Sequence, residues 1–142
     1  MSYPRLKINL SGIERNCLII NDRCTSRGIT VVGVLKCVLG DPKIAEVIIN
    51  QGIKIFGDSR LANLSRLRKH FGDKLELILL RTPMISEIGE MLNICRTSMN
   101  TQKLTVKKIS EACAARGFEH NIIIMVETDD KREGLLPEEV LP

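Results

Sequence analysis

The chain has 142 residues, of which 44% are hydrophobic and 27% are charged, and its formal net charge is +4 at pH 7. This length and composition are typical of one globular domain with a substantial core, and they exclude an intrinsically disordered chain. Aromatic residues make up only 3% and Trp is absent, so despite its positive charge the chain is poorly supplied for stacking nucleic-acid bases.

Strand-like and helix-like segments alternate along the chain about every 20–25 residues, which is typical of repeated β-α units. Residues 6–10 have the pattern of a short leading strand. Ser11 and Glu14 then have the spacing of a capping box, which predicts a helix that ends near Gly28.

Apolar and mostly β-branched residues dominate positions 29–40, which predicts a strand buried on both faces of a parallel sheet. Asp41 as a cap and Pro42 in the first turn begin the following helix, which Gly52 ends. Further strands are predicted over residues 53–56, 75–80, 94–98 and 121–126, and further helices over residues 61–70, from Thr82, over residues 101–116 and from Pro137.

These segments make one leading strand and five strands in β-α units, and right-handed crossovers would make the five parallel. A complete eight-stranded barrel generally needs at least about 200 residues. We therefore expect an α/β fold, either a small doubly wound sheet or part of a TIM (β/α) barrel. The unfinished helix at the end favours the second, with residues 1–142 as the incomplete N-terminal half of a barrel.

Lys36 is the most informative residue, because it stands alone in the apolar run where a charge is costly. A buried ammonium group loses hydration, and a lysine that is partly neutral can attack a carbonyl carbon. The alternative is that the methylene groups of Lys36 lie along the apolar surface while its ammonium group stays in water. The run alone leaves both interpretations open.

Ligands of either architecture bind outside the carboxyl ends of the strands. The chain places an amine, arginines and several carboxylates at that rim, on Lys36, residues 57–60, 81–82, 99–100 and 127–132. Residues 57–60 also fit a simple turn with a helix cap, and residues 129–134 fit an ordinary solvated loop.

Several other classes of protein lack support. The five cysteines form no C-x-x-C pair, and His70 and His120 are far apart, so neither a disulfide framework nor a metal site is expected. Motifs of nucleotide-binding loops, serine hydrolases and zinc proteases are missing. No apolar run approaches the roughly twenty residues of a membrane span, and residues 1–5 do not fit a signal peptide, so we expect a cytoplasmic location and no membrane partner.

The sequence resembles the pyridoxal-phosphate enzymes of the alanine racemase N-terminal-domain superfamily, and within it the alanine/ornithine racemase branch. The likeness covers nearly the whole chain in a consistent order. It is carried by VGVLK (residues 32–36), GDP (40–42) and GIKIFGDSR (52–60), with support from residues 3–10, 79–84, 125–127 and 132–134.

The resemblance implies a β/α barrel in which Lys36 is catalytic and holds pyridoxal 5'-phosphate as a Schiff base. It implies that Asp58 and Ser59 lie near the cofactor, and that Arg132 lies beside the cofactor ring and the carboxylate of the substrate. The alanine racemases have a tyrosine shortly after the lysine, and its hydroxyl helps to hold the phosphate. This chain departs from them there, because Leu39 and its neighbours offer no hydroxyl. The phosphate loops and second catalytic base would come from later parts of the enzyme.

The function implied for the parent protein is racemisation of a small amino acid, with these 142 residues inactive alone. Two alternatives remain: a pyridoxal-phosphate homeostasis protein without turnover, and a cofactor-free α/β binding domain. No nucleic-acid partner is expected. Because an incomplete barrel leaves strand edges unpaired, we expect a homo-oligomer or self-association through those edges.

Overall fold

A computed structural model describes residues 4–129 and 133–140, and in it five parallel strands form one sheet. The strands are β1 (Val32–Val34), β2 (Ile55–Asp58), β3 (Glu76–Leu79), β4 (Thr97–Asn100) and β5 (Asn121–Ile124). The helices are α1 (Leu10–Thr25), α2 (Pro42–Ile49), α3 (Leu61–Phe71), α4 (Ile88–Ile94), α5 (Lys103–Arg116) and α6 (Pro137–Val140). The predicted α/β fold with five parallel strands is confirmed.

The order of the strands in the sheet follows the order of the chain, β1-β2-β3-β4-β5. A doubly wound sheet reverses its strand order at a switch point, and this sheet has no such reversal. Sequential parallel strands, each connected to the next through a helix, are the pattern of a β/α barrel. The strand order therefore excludes the doubly wound alternative and leaves the partial barrel.

The hydrophobic core lies between the helices and one face of the sheet. Phe56, Leu77 and Leu79 are completely buried on that face, and Leu64 and Met91 of the helices meet them with no exposed surface. Pairing of Gly33 with Phe56 and of Phe56 with Leu77 brings these positions to the same side of the sheet. A Cβ atom on Gly33 would lie 2.9 Å from Cε1 of Phe56, so glycine makes room for the ring.

The opposite face of the sheet is open. Val32, Val34 and Ile123 point to this side and are 37%, 48% and 38% exposed. In a closed barrel this face would be the packed interior. Five strands cover only part of that circumference, so apolar side chains on the inner face meet solvent in the described part of the chain.

The predicted leading strand is wrong. Residues 4–9 have no regular structure, Leu6 is 84% exposed, and the edge strand β1 pairs only with β2. A strand without a partner leaves its backbone groups unpaired, so apolar alternation alone does not form one. The helix cap is also shifted, because Asn9 and not Ser11 accepts the hydrogen bond from Gly12 N, at 2.9 Å.

The strand predicted over residues 29–40 is shorter than expected. It ends at Val34, and a 3₁₀ turn over Lys36–Val38 follows. Leu39 and Gly40 then have φ angles of 55° and 64°, a left-handed conformation that turns the chain towards α2. The cap of α2 is as predicted, since Oδ1 of Asp41 accepts a hydrogen bond from Lys43 N at 2.8 Å.

Helix α1 packs on α2 but has no fully buried residue. Ile13 and Cys17 are its contacts with the core, both partly exposed. A hydrogen bond from Asn21 Nδ2 to the carbonyl of Gln51, at 2.9 Å, joins it to the end of α2. Helix α1 is therefore held mainly by half-buried and polar contacts.

The five cysteines are free thiols in this structure, and burial raises the pKa of Cys95 to about 11, which keeps that thiol protonated and unreactive. Residues 4–129 and 133–140 contain no group of three acidic, His or Cys side chains able to hold a metal ion. Within the same ranges no helix is long and apolar enough to cross a membrane.

Candidate functional site at the carboxyl ends of the strands

The loops at the carboxyl ends of the strands bring several of the predicted site residues together. Lys36 follows β1, while Asp58 and Ser59 stand at the end of the adjacent strand β2. Arg132 lies outside the described residues. The structure thus places three of the four predicted residues on neighbouring strand ends.

Lys36 is exposed, which agrees with the second of the two interpretations of its apolar run and not with a desolvated amine. The neighbouring Val34 is itself 48% exposed on the open face of the sheet, so the surroundings offer no burial. No carboxylate of the described residues lies within the 4.0 Å of an ion pair with Lys36. Exposure also agrees with the alternative of a charged end held in water, so burial does not argue for a nucleophile here.

Asp58 is 1% exposed and directs its carboxylate into its own loop. Oδ1 accepts a hydrogen bond from Arg60 N at 2.9 Å, and Oδ2 accepts one from Asn63 Nδ2 at 2.9 Å. This geometry fits the simple turn considered for residues 57–60. A cofactor contact of Asp58 stays a prediction, while its observed contacts fix the conformation of the chain on both sides of Ser59.

Ser59 is held from the other side by Arg81. The Nε atom of Arg81 donates to the carbonyl oxygen of Ser59 at 2.7 Å, and its two terminal nitrogens bind the Glu87 carboxylate at 2.8 and 2.9 Å. This hydrogen-bonded Arg81 holds the pKa of Glu87 below its usual value. The half-buried pair therefore connects the loop after β2 to the loop after β3.

Two threonines form a contact that the sequence did not reveal. The Oγ1 atoms of Thr82 and Thr101 lie 3.2 Å apart, and Thr101 N donates to Thr82 Oγ1 at 3.1 Å. Thr82 Oγ1 also donates to Glu133 Oε1 at 3.3 Å. Thr82 was expected at the rim and at a helix start, but its contact with Thr101 was not predicted. Strand alternation could have indicated the pair, because both follow inner-face positions by an even number of residues.

Residues on the two sides of the predicted Arg132 are hydrogen-bonded to each other. Glu127 N donates to the carbonyl oxygen of Leu135 at 2.8 Å, and Leu135 N donates to that of Met125 at 2.9 Å. A Cβ atom on Gly134 would lie only 2.4 Å from Glu127 N, so this close approach requires glycine. Residues 125–127 and residues 134–135 are thus in close contact, on either side of the loop expected over residues 129–134.

A polar group lies on the helix side of β4 and β5. Ser98 Oγ is 2.9 Å from His120 Nε2, and Asn100 Nδ2 donates to Ser98 Oγ at 2.9 Å. Asn100 Oδ1 and His120 Nδ1 are buried without a hydrogen-bond partner in the described structure. Ser98 and Asn100 point to the side of the sheet that faces the helices. This polar group is therefore separate from the open face, to which Val34 points.

Acid is expected to destabilise the fold through His120. Burial lowers the pKa of His120 below its usual 6.5, and the Cys95 backbone opposes this more weakly. The unfolded chain then binds a proton at a higher pH than the folded protein, so stability falls as the pH drops below 6.5 towards the lowered pKa. Urea denaturation should show a smaller loss in His120→Gln between about pH 7.5 and pH 5.

The exposed His70 gives the matched control for this measurement. His70→Gln should keep the pH dependence of the unmodified protein. An equal loss of stability on acidification in all three proteins would contradict the assignment to His120.

The described residues fit one end of pyridoxal phosphate. An exposed primary amine such as Lys36, which has no ion-pair partner among residues 4–129 and 133–140, can condense with an aldehyde. A phosphate group needs cations or N–H donors. On the described rim, Arg81 is bound to Glu87 and Arg66 to the Leu39 carbonyl, while the exposed Arg60 supplies one cation, fewer than the several donors that hold a phosphate. These residues therefore fit the aldehyde end, and they do not by themselves make a phosphate site.

Comparison with known proteins gives a consistent group of relatives. Residues 8–142 match the family model of the alanine racemase N-terminal domain. The lysine racemase of Thermotoga maritima is 39% identical over 95% of the chain, and the ornithine racemase of Acetoanaerobium sticklandii is 30% identical over 98%. The chain spans 38% of the length of each of these relatives.

Solved structures with a similar fold include alanine racemases. An alanine racemase from Bartonella henselae, solved with covalently bound pyridoxal phosphate, superposes with a TM-score of 0.78 at 18% identity, over 94% of this chain and 37% of that one. This likeness shows the fold, namely the N-terminal part of the barrel of that enzyme. Because the family model matches nearly the whole sequence, the chain belongs to the alanine racemase N-terminal domain family.

Proposed function

We propose that these residues are the N-terminal part of a pyridoxal-phosphate-dependent amino-acid racemase, in which Lys36 holds the cofactor through Nζ. The observation that carries the proposal is the placement of this exposed amine directly after β1 of a sequential parallel sheet, in a chain that belongs to this family. The share of its relatives that the chain spans, 38%, supports a larger protein with further barrel strands.

The substrate that we propose is a diamino acid of the lysine or ornithine type. Support comes from the two relatives, named as a lysine racemase and an ornithine racemase, which match nearly the whole chain. A homeostasis protein without turnover and a cofactor-free α/β binding domain are the alternatives. They become outcomes of the experiment below.

Lys36 and Arg132 have the roles that racemisation requires. Pyridoxal phosphate, when bound, withdraws electron density from the Cα atom and makes its proton acidic. Lys36 Nζ would remove that proton, or return it, on one face of the substrate. Arg132 would orient the substrate carboxylate by charge-assisted hydrogen bonds. A group from another part of the protein would serve the opposite face.

Borohydride reduction in the presence of pyridoxal phosphate, followed by peptide mass mapping, tests the proposal. The complete protein should carry the label on Lys36, and label elsewhere or none would contradict it. Exchange of deuterium from Cα-labelled lysine or ornithine should accompany labelling. Binding without exchange would indicate the homeostasis protein, and a colourless protein without label would indicate the cofactor-free domain.

We also propose self-association of the isolated residues. The edges of β1 and β5 have no further partner in the described sheet, and Val34 and Ile123 expose apolar surface beside them. Unpaired edges and apolar faces favour pairing with another copy. Size-exclusion chromatography of the 142-residue chain should show a species larger than 15.9 kDa. A compact monomer at high concentration would contradict this.

A further inference from the structure

Helix α3 contacts the turn that presents Lys36 at two places. The guanidinium of Arg66 donates from Nη1 to the carbonyl oxygen of Leu39. Gly40 packs against the backbone of Asn63 so closely that a Cβ atom there would lie 2.9 Å from the Asn63 carbonyl oxygen. Asn63 and Arg66 are three residues apart on the helix, so both lie on the side that faces the turn.

The turn has a conformation that needs outside support. Leu39 has a φ angle of 55° although it is not glycine, and a left-handed conformation of a branched residue is unfavourable by on the order of 1 kcal/mol. Internal hydrogen bonds from Val38 N and Gly40 N to the Leu35 carbonyl, both 3.1 Å, close the turn but do not anchor it to the rest of the protein. Leu35 and Val38 pack into the core on one side of Leu39, and the Arg66 contact adds an anchor at the strained residue itself.

The first turn of α3 is fixed in its own right. Asn63 is 4% exposed, and its side chain donates to Asp58 Oδ2 at 2.9 Å. Asp58 stands at the end of β2, the strand that pairs directly with β1. A continuous set of contacts therefore leads from the sheet through Asp58 and Asn63 to Gly40.

We infer that α3 sets the position of the Lys36 amine, and that Arg66 is a positioning residue for the cofactor link. This inference rests on the proposed role of Lys36 and adds a residue that acts through its contact with the 36–40 turn. If Arg66 is removed, the 36–40 turn spends more time away from the conformation that presents Lys36 at the rim. The cofactor then meets a smaller competent fraction of the protein.

The test compares Arg66→Met and Arg66→Lys in the complete protein, with Lys69→Met as the matched control from an exposed site of the same helix. Hydrogen exchange is measured on peptides that cover residues 38–41, and borohydride labelling of Lys36 is measured at sub-saturating pyridoxal phosphate. A hydrogen bond from a charged donor at an exposed site predicts exchange about three- to tenfold faster in Arg66→Met.

Labelling of Lys36 in Arg66→Met should fall by a similar factor, about three- to tenfold, with partial recovery in Arg66→Lys and no change in Lys69→Met. Unchanged exchange in Arg66→Met, or an equal change in Lys69→Met, would overturn the inference. So would faster exchange without loss of label. A missing label in the unmodified protein would instead refute the proposed function, and exchange alone would then decide whether Arg66 anchors the turn.

Discussion

Lys36→Arg should abolish racemisation while leaving the protein folded. The guanidinium keeps the positive charge but stays protonated, so it can neither attack an aldehyde nor exchange a proton at Cα. Positioned acid–base groups contribute about 10²–10⁴-fold, so we expect the turnover of lysine or ornithine by the complete protein to fall by about 10³-fold or more. The measurement is circular dichroism of the substrate during racemisation.

Lys43 provides the matched control, because it is also exposed and follows in the same β-α unit. Lys43→Arg should retain the activity and the cofactor content of the unmodified protein. If Lys36→Arg keeps more than about a tenth of the activity, an acid–base residue of this importance is excluded at this position.

Phe56→Ala should strongly lower the free energy of unfolding. The ring is completely buried on β2, next to Gly33, and removing a buried aromatic side chain leaves a cavity that costs about 3–5 kcal/mol. That is a large part of the usual stability of a domain, so the variant should be largely unfolded or aggregated near body temperature. Urea denaturation followed by circular dichroism measures the loss.

Phe71→Ala makes the same chemical change at a half-buried position at the end of α3. It should cost clearly less, about 1–2 kcal/mol, because part of the ring is already in water. Equal losses of unfolding free energy in the two variants would mean that Phe56 does not occupy the centre of the core.

Element types and their order could be predicted because they depend on local chemistry. Asp41 and Pro42 mark the start of α2, and Gly117, with a φ angle of 60°, ends α5 as expected. Strand order was left open between two architectures. The sequence contains no direct record of which strands pair, and only the contacts in the sheet excluded the doubly wound form.

The features that the sequence did not reveal share a physical cause, namely dependence on a distant partner. Residues 6–10 alternate like a strand but have no strand beside them. Lys36 follows an apolar run, yet its exposure depends on how many strands enclose the inner face. The link between Thr82 and Thr101 needs two loops to meet, although they are far apart in sequence. The local sequence pattern does not show which distant segments come into contact.

The weak attachment of α1 has a consequence for the dynamics of the molecule. A helix without a fully buried residue opens at a lower free energy than the sheet, because its opening exposes little apolar surface. Among the helices and strands, proteases should therefore cleave first within Leu10–Thr25, and antibodies raised against that segment should recognise the native protein. The core around Phe56 should stay folded after such a cut. Helix α1 is therefore a suitable place for an affinity tag or a reporter dye.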